Sequence, residues 1–308
     1  MNFLLTLQNV SVLFTLIVIG YLVGKLNWVT ASGQKEITKL VLNVTMPATI
    51  ILAMQVPFSL ERVQNILILL GIMLACYIFM FIVGWLVTKL FPGSPGQKDI
   101  FHMGMLLSNT SFMGYPIVLA LLGDDALFYA VICGGFLFEI ISWTLGIHII
   151  GRNVAGNKGG LKNAILNPGV LSIAVGGILF LTNISIPEPL FSTMNLLSRA
   201  TSPLAMLVVG LILSRSNIKE ALKDWRIYVA SAIKLFINPL AILFTLKFLG
   251  FDGIFIVIPV MLLSMPTAAY IAMFSDNLGN DKSLASQLVF VCSLLSLISI
   301  PIIGTLIL

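Results

Sequence analysis

Leu107-Ser108-Asn109-Thr110-Ser111-Phe112-Met113-Gly114-Tyr115-Pro116 is a run of small and polar residues inside an otherwise apolar stretch, and it ends in proline. Pro116 has no N–H and its ring clashes with the carbonyl four residues back, so this run makes a poor continuous helix. Ser264-Met265-Pro266-Thr267 interrupts a second apolar stretch in the same way. The surrounding composition says what solvent these interruptions meet. Of 308 residues, 9% are charged (17 Lys+Arg, 12 Asp+Glu) and 58% are hydrophobic, whereas a soluble globular protein carries roughly 25% charged residues. With a mean hydropathy of +1.07 there is too little polar side chain to coat a water-facing surface. That excludes a soluble enzyme, a disordered chain, collagen and a disulfide scaffold. The chain reads as an all-α integral membrane protein.

A bilayer-spanning helix needs about 20 mostly apolar residues. Ten such runs are present: 3–25, 36–56, 63–90, 99–122, 126–150, 166–184, 190–214, 227–249, 253–275 and 283–307. The first lacks the positive n-region and cleavage site of a secretory signal and is expected to be a mature span. The largest connection, Gly151 to Lys162, is rich in Gly, Asn and basic residues. No strand precedes it and no GK[ST] follows, so it reads as a linker and not as a phosphate cradle. The net charge of +5 is distributed as membrane orientation, not as a nucleic-acid surface. Thirteen Lys and Arg (Lys25, Lys35, Lys39, Lys89, Lys98, Arg152, Lys158, Lys162, Arg215, Lys219, Lys223, Arg226 and Lys282) fall in one set of connections, and only Arg62 and Lys247 fall in the other. By the positive-inside rule both termini are outside, in a cell membrane, and the linker is cytoplasmic. Trp28 and Trp225 lie at that cytoplasmic edge.

Ten spans divided by a linker give two sets of five, and because five is odd the second set is inverted relative to the first. The expected division is residues 1–150, a first five-helix repeat; 151–165, the linker; and 166–308, a second, inverted repeat. Prolines give a register: Pro47 and Pro203 are 156 apart, Pro116 and Pro266 150 apart. Inverted repeats with matched interruptions are a construction used by secondary transporters. If spans 4 and 9 unwind at their prolines, each half-helix starting there presents a positive N-terminal end, which favours an anion. Backbone freed in this way is tolerated only around a cavity or inside protein.

Three ionisable residues sit well inside spans: Glu139, Arg199 and Lys234. Each costs roughly 2.5–3.5 kcal/mol at the bilayer centre on insertion scales and should face a partner or water. Arg199, four residues before Pro203, has a fork that matches a carboxylate. It is the leading candidate for the substrate's charge, against a static pair with Glu139. Lys234, some eight residues from the cytoplasmic end of its span, is expected to snorkel. Glu139 is the coupling candidate, a buried carboxyl able to carry a proton, against structural pairing. Asn43, one helical turn before Pro47, either lines the cavity or binds a neighbouring helix. His102 and His148 are separated and have no acidic cluster beside them, so no metal site is expected. Cys76, Cys133 and Cys292 all lie in apolar runs as buried thiols, and no cofactor motif, Ser-His-Asp order, HExxH or P-loop occurs.

The residues Leu42-Asn43-Val44-Thr45-Met46-Pro47-Ala48, Ser108 to Pro116, Asn167-Pro168, Pro203-Leu204-Ala205-Met206 with Gly210, and Met265-Pro266-Thr267-Ala268 resemble the hallmarks of the auxin efflux carrier family. The likeness runs the length of the chain and includes the family's bacterial members described as malate permeases. It implies ten transmembrane helices in two inverted five-helix repeats, with broken, crossing helices 4 and 9. It also implies a scaffold of spans 1, 2, 6 and 7 and a transport domain of spans 3–5 and 8–10 that moves like an elevator. The substrate carboxylate would lie near Asn109, Thr110, Pro116, Pro266 and Thr267, with Asn43 and Arg199 on the opposing wall. The chain lacks the long central loop of the plant carriers, and it is basic at Arg199 where plant members have an acidic residue nearby. That difference favours a more highly charged acid over an auxin-like one.

The expected function is therefore a secondary transporter of small organic anions, malate-like carboxylates or auxin-like acids, by alternating access. The alternative is a sodium- or proton-coupled carrier of another inverted-repeat class, of the bile-acid or cation/proton-exchanger type, which would want acidic residues at the crossover. A membrane enzyme or receptor is the third reading, and no convincing acid, base and nucleophile set supports it. Expected partners are a small organic acid, membrane lipid and, as an open option, a second copy in a homodimer, with no nucleic acid.

Overall fold

A computed structural model describes residues 3–154, 168–215 and 223–307. The expected linker from residue 155 onward, Asn167 and Lys219 lie outside the described residues. Eleven helices follow one another: α1 (Phe3–Lys25), α2 (Ala31–Ala53), α3 (Leu60–Leu90), α4 (Pro95–Leu106), α5 (Thr110–Gly151), α6 (Pro168–Thr182), α7 (Glu188–Ser214), α8 (Trp225–Phe248), α9 (Ile254–Leu263), α10 (Tyr270–Leu278) and α11 (Lys282–Ile307). Their starts are chemically marked. Thr30, Ser59, Ser94 and Asp224 each turn a side-chain oxygen onto a first-turn N–H, satisfying donors that the helix itself cannot. Among the described residues there is no strand, only an isolated antiparallel bridge between Ser108 and Thr267.

Six of these helices are long and apolar enough to cross a membrane: α2, α3, α5, α7, α8 and α11. Two of the ten apolar runs are interrupted. The run 99–122 is divided between α4 and the first part of α5, and the run 253–275 between α9 and α10, so that no piece of either reaches full length. Conversely, α5 covers 42 residues because it includes a reversal at Gly123, whose φ of 81° and ψ of −173° are not helical. A glycine takes that conformation without the Cβ penalty that other residues meet.

Pro116 does not break its helix where the sequence suggested, whereas Pro266 does lie in a break. Pro47, Pro116 and Pro239 each follow a single π-helical turn: Val41–Thr45, Thr110–Gly114 and Ile233–Ile237. The wider turn displaces the carbonyl that the ring would strike and accommodates the missing N–H, so the helix continues. The break in the first crossover lies at Leu107–Asn109, seven residues ahead of Pro116 at Asn109; in the second it includes Pro266 itself.

Packing sorts the helices into two groups. In the first, α1 lies along α7, and the second half of α2 packs on α6 and α7, with Thr49 Oγ1 and Thr201 Oγ1 2.8 Å apart. In the second, α11 touches α4, α8, α9 and α10, and α3 packs on α4 and α9, while α1 also packs on α11 and joins the two groups. Large apolar side chains on the outer faces, such as Ile78, Ile82 and Leu86 of α3 and Phe244 and Phe248 of α8, are exposed, as a lipid-facing surface requires. The α1–α7 crossing is at backbone contact. A Cβ at Gly210 would stand 2.1 Å from the Ile17 carbonyl oxygen and 2.6 Å from the Tyr21 nitrogen, neither of which can swing aside. Gly210→Ala is therefore expected to lower the melting temperature in detergent by several degrees, an overpacking cost of about 1–3 kcal/mol. Gly71→Ala, whose Cβ meets nothing within 4 Å, should leave it unchanged. Equal melting of both variants and the parent would show that the crossing is looser than described.

Candidate functional site: a crossover held by one ammonium

The two breaks meet. Asn109 N–H donates to the Pro266 carbonyl at 2.7 Å and Ala268 N–H to the Leu107 carbonyl at 2.9 Å, pairing the extended segments antiparallel around Ser108 and Thr267. Two broken helices thus satisfy part of each other's freed backbone, which lipid could not do. Side chains take more of it. Thr267 Oγ1 donates to the Gly104 carbonyl at 2.9 Å, and Ser264 Oγ to the Met261 carbonyl at 2.8 Å. Cys292 Sγ accepts from Thr267 N–H at 3.3 Å. The Asn109 carbonyl accepts from Gly114 N–H at 3.0 Å, opening the second half-helix. Ser108, Asn109, Thr110, Pro116, Ser264, Pro266 and Thr267 are all buried, so the crossover is closed on every side.

The C-terminal ends of α4 and α9 remain, each with carbonyls at a negative dipole end. Both point at Lys234. Its Nζ is 3.5 Å from the Leu106 carbonyl, 3.4 Å from the Leu263 carbonyl and 2.5 Å from Ser108 Oγ, and the residue is 0% exposed. An ammonium has three N–H donors and here finds three oxygens. The snorkelling expected from the sequence is overturned: the first half-helix ends offer a better ligand set than the distant interface. At the opposite polarity stands Glu139, also buried. It accepts from Trp143 Nε1 at 3.0 Å and from the hydroxyl of Tyr270, the first residue of α10, at 3.3 Å. Lys234 Nζ thus sits at the C-terminal ends of two half-helices, and the Glu139 carboxyl meets the side-chain hydroxyl of the first residue of α10.

The site residues named from sequence divide accordingly. Asn109, Thr110, Pro266 and Thr267 are brought together at the bridge, and Pro116 is buried one turn beyond on the same half-helix. Asn43 is exposed and donates back to the Lys39 carbonyl of its own helix at 2.7 Å, and is not bound to a neighbouring helix by that amide. Arg199 is exposed on α7 and forms no ion pair among the described residues; the Arg199–Glu139 pair is not made. Sequence reasoning under-rated Lys234 and passed over Cys292, Trp143 and Tyr270. An intramembrane lysine was itself a signal; nothing in the sequence marked the other three.

An apolar helical bundle with two broken helices paired at a closed polar centre is the architecture of a multi-pass membrane protein that handles solutes. Residues 5–304 match the family described as membrane transport protein, and the chain belongs to it. It is similar to an uncharacterized transporter of Methanocaldococcus jannaschii, 27% identical over 307 residues and covering 98% of each chain. It is also similar to the uncharacterized transporter YfdV of Escherichia coli, 23% identical over 248 residues and 75% of each chain. A Rhizobium meliloti protein provisionally named a malonate transporter is 22% identical over 298 residues, 93% of this chain and 91% of that one.

The ligand set of Lys234 makes a direct expectation. Lys234→Met removes the ammonium and orphans buried oxygens at about 1–3 kcal/mol each, so it should lower the melting temperature strongly. Arg199→Gln, on an exposed side chain, should not change it. Thermal unfolding of the two purified variants reads the difference, and the reverse order would return Arg199 to the centre of the site.

Proposed function

We propose that the chain is a secondary transporter of small organic anions, of the malate or malonate kind, working by elevator-type alternating access in the cell membrane. The observation that carries this reading is the paired crossover of α4–α5 with α9–α10. Its antiparallel pairing about Ser108 and Thr267 supports two inverted five-helix repeats, 1–150 and 166–308 around the cytoplasmic linker, with both termini outside. The packing of α1 on α7 and of α2 on α6 and α7 supports a scaffold, with α1 against α11 as a contact between it and the moving body. Asn109, Thr110, Pro266 and Thr267 form the binding wall of that body, with the N-terminal half-helix ends attracting the carboxylate. Asn43 and Arg199 are exposed on the scaffold helices, where they would meet substrate only in another position of the moving body. The name of the Rhizobium meliloti relative supports a short dicarboxylate.

The sodium-coupled alternative needs a place for a cation at the crossover. The oxygens best arranged for one, from Leu106, Leu263 and Ser108, are already ligands of Lys234. A resident ammonium therefore favours sodium-independent transport. Proton coupling stays within the same reading, because Glu139, against Tyr270 at the start of α10, is a buried carboxyl touching the half that would move.

Uptake of radiolabelled malonate and malate into proteoliposomes tests the reading, with imposed pH and sodium gradients as separate arms. Accumulation above protein-free liposomes, stimulated by the pH gradient and indifferent to sodium, is the expected result. Sodium-driven uptake would favour the alternative, and no uptake of either acid would remove the dicarboxylate assignment. In the same assay Pro266→Ala should abolish most uptake, because it restores an N–H and lets helix re-form across the bridge. Pro116→Ala, inside a continuing helix, should retain a substantial part. Equal effects would contradict the unequal roles of the two prolines.

A further inference from the structure

At the end of the bundle expected to face the cytoplasm, α3, α4 and α5 enclose a cavity of about 310 Å³ that the transport reading does not use. Trp85 and Lys89 stand one turn apart at the end of α3, with Lys89 Nζ 3.2 Å from the centre of the Trp85 ring. The chain reverses through Gly93, whose φ of +129° lies in the region that favours glycine. It then starts α4, which contributes Lys98, Asp99 and His102 to the walls, and Arg152 closes the cavity from the end of α5.

The charge in this cavity is not balanced from within. Asp99 is its one acidic lining residue, 2% exposed, and it is already engaged. It accepts two hydrogen bonds from the Arg152 guanidinium, through Nε and Nη2, and a third from Asn153 Nδ2 at 2.6 Å. Those bonds from Asp99 hold the Arg152 pKa above its ordinary value, so the guanidinium stays charged. Lys89 and Lys98 form no ion pair among the described residues.

The rim says what shape of anion belongs there. Ile82, Trp85, Leu86 and Leu90, on the α3 surface beside the cavity, are all exposed large apolar residues, Leu90 by 82%. An exposed tryptophan next to lysines at a span end is an interfacial arrangement. A ligand with a compact negative head and an apolar tail would fill the cavity and lie along this surface, whereas a free inorganic anion would use only the first half. We propose that Lys89, Lys98 and Arg152 hold the phosphate of an anionic membrane lipid, with its acyl chains along Ile82 and Leu86. Basic pockets between helix ends on the cytoplasmic side are the setting in which such headgroups bind. The site does not depend on which solute is carried, so its test needs no transport assay.

The experiment is native mass spectrometry of the purified full chain, exchanged into detergent with phosphatidylglycerol or phosphatidylcholine, alongside thermal unfolding in the same mixtures. The test variant is the pair Lys89→Gln and Lys98→Gln, which leaves the buried Asp99–Arg152 contact intact. The control pair, Lys25→Gln and Lys35→Gln, removes the same charge elsewhere on the same expected face. The expected result is retention of phosphatidylglycerol over phosphatidylcholine by the parent, a fall of about tenfold in the test pair, and no fall in the control pair. Equal retention of the two lipids by the parent would overturn the proposal. So would retention unchanged in the test pair, or an equal loss in the control pair, which would reduce the effect to general surface charge. Inorganic phosphate supplied instead of lipid should not raise the melting temperature. If it matches phosphatidylglycerol, the site takes a free anion and the lipid assignment fails.

Discussion

Backbone that leaves its helix inside a bilayer must find partners within the protein, and in this chain two helices do so at one place. The bridge between Leu107–Asn109 and Pro266–Ala268 pairs the extended segments of both breaks, and Lys234 Nζ gathers the carbonyls that end α4 and α9. Much of the surrounding architecture serves that arrangement. Gly104 lies against the Leu288 side chain of α11, and its carbonyl receives Thr267 Oγ1. The α11 helix brings Cys292 to the Thr267 N–H, and α8 must be close enough for Lys234 to reach across. A buried charge of this kind costs too much to persist without its full ligand set, which ties the folding of α8 to the crossing of the other two helices.

Sequence made the broken helices legible because composition shows them directly: Ser, Asn, Thr and Gly collect where an apolar run should be uniform. What it misassigned was the location of the first break. Proline marks the expected break, but Pro116 follows a π turn that accommodates it, and the chain departs from helix at Leu107 instead. Hydrogen-bond register of this sort depends on turn width, which no residue pattern in the run specifies. Within the apolar runs, 99–122 and 253–275 are interrupted, and Gly123 folds one long helix back on itself, which length and composition alone do not specify.

Ranking among the charged residues was the weakest part of the reading. Distance along a helix measures depth but not direction, so Arg199 and Lys234 looked comparable, with Arg199 favoured for its fork. Their environments are opposite: Arg199 is exposed, and Lys234 is enclosed by oxygens from two other helices that lie 128 and 29 residues away in sequence. Contacts at that separation arise from the fold alone. The two partners of Glu139, Trp143 one turn on and Tyr270 on α10, mix a contact legible in sequence with one that is not.

The account rests on Lys234 filling the position that a carried cation would otherwise take, and binding of ²²Na⁺ to the purified protein examines that claim most directly. The parent should show no saturable sodium binding. Lys234→Ser, which vacates the carbonyls of Leu106 and Leu263 while adding a hydroxyl, should acquire it. Saturable sodium binding by the parent protein would contradict the account, because the crossover would then hold a cation in addition to the ammonium.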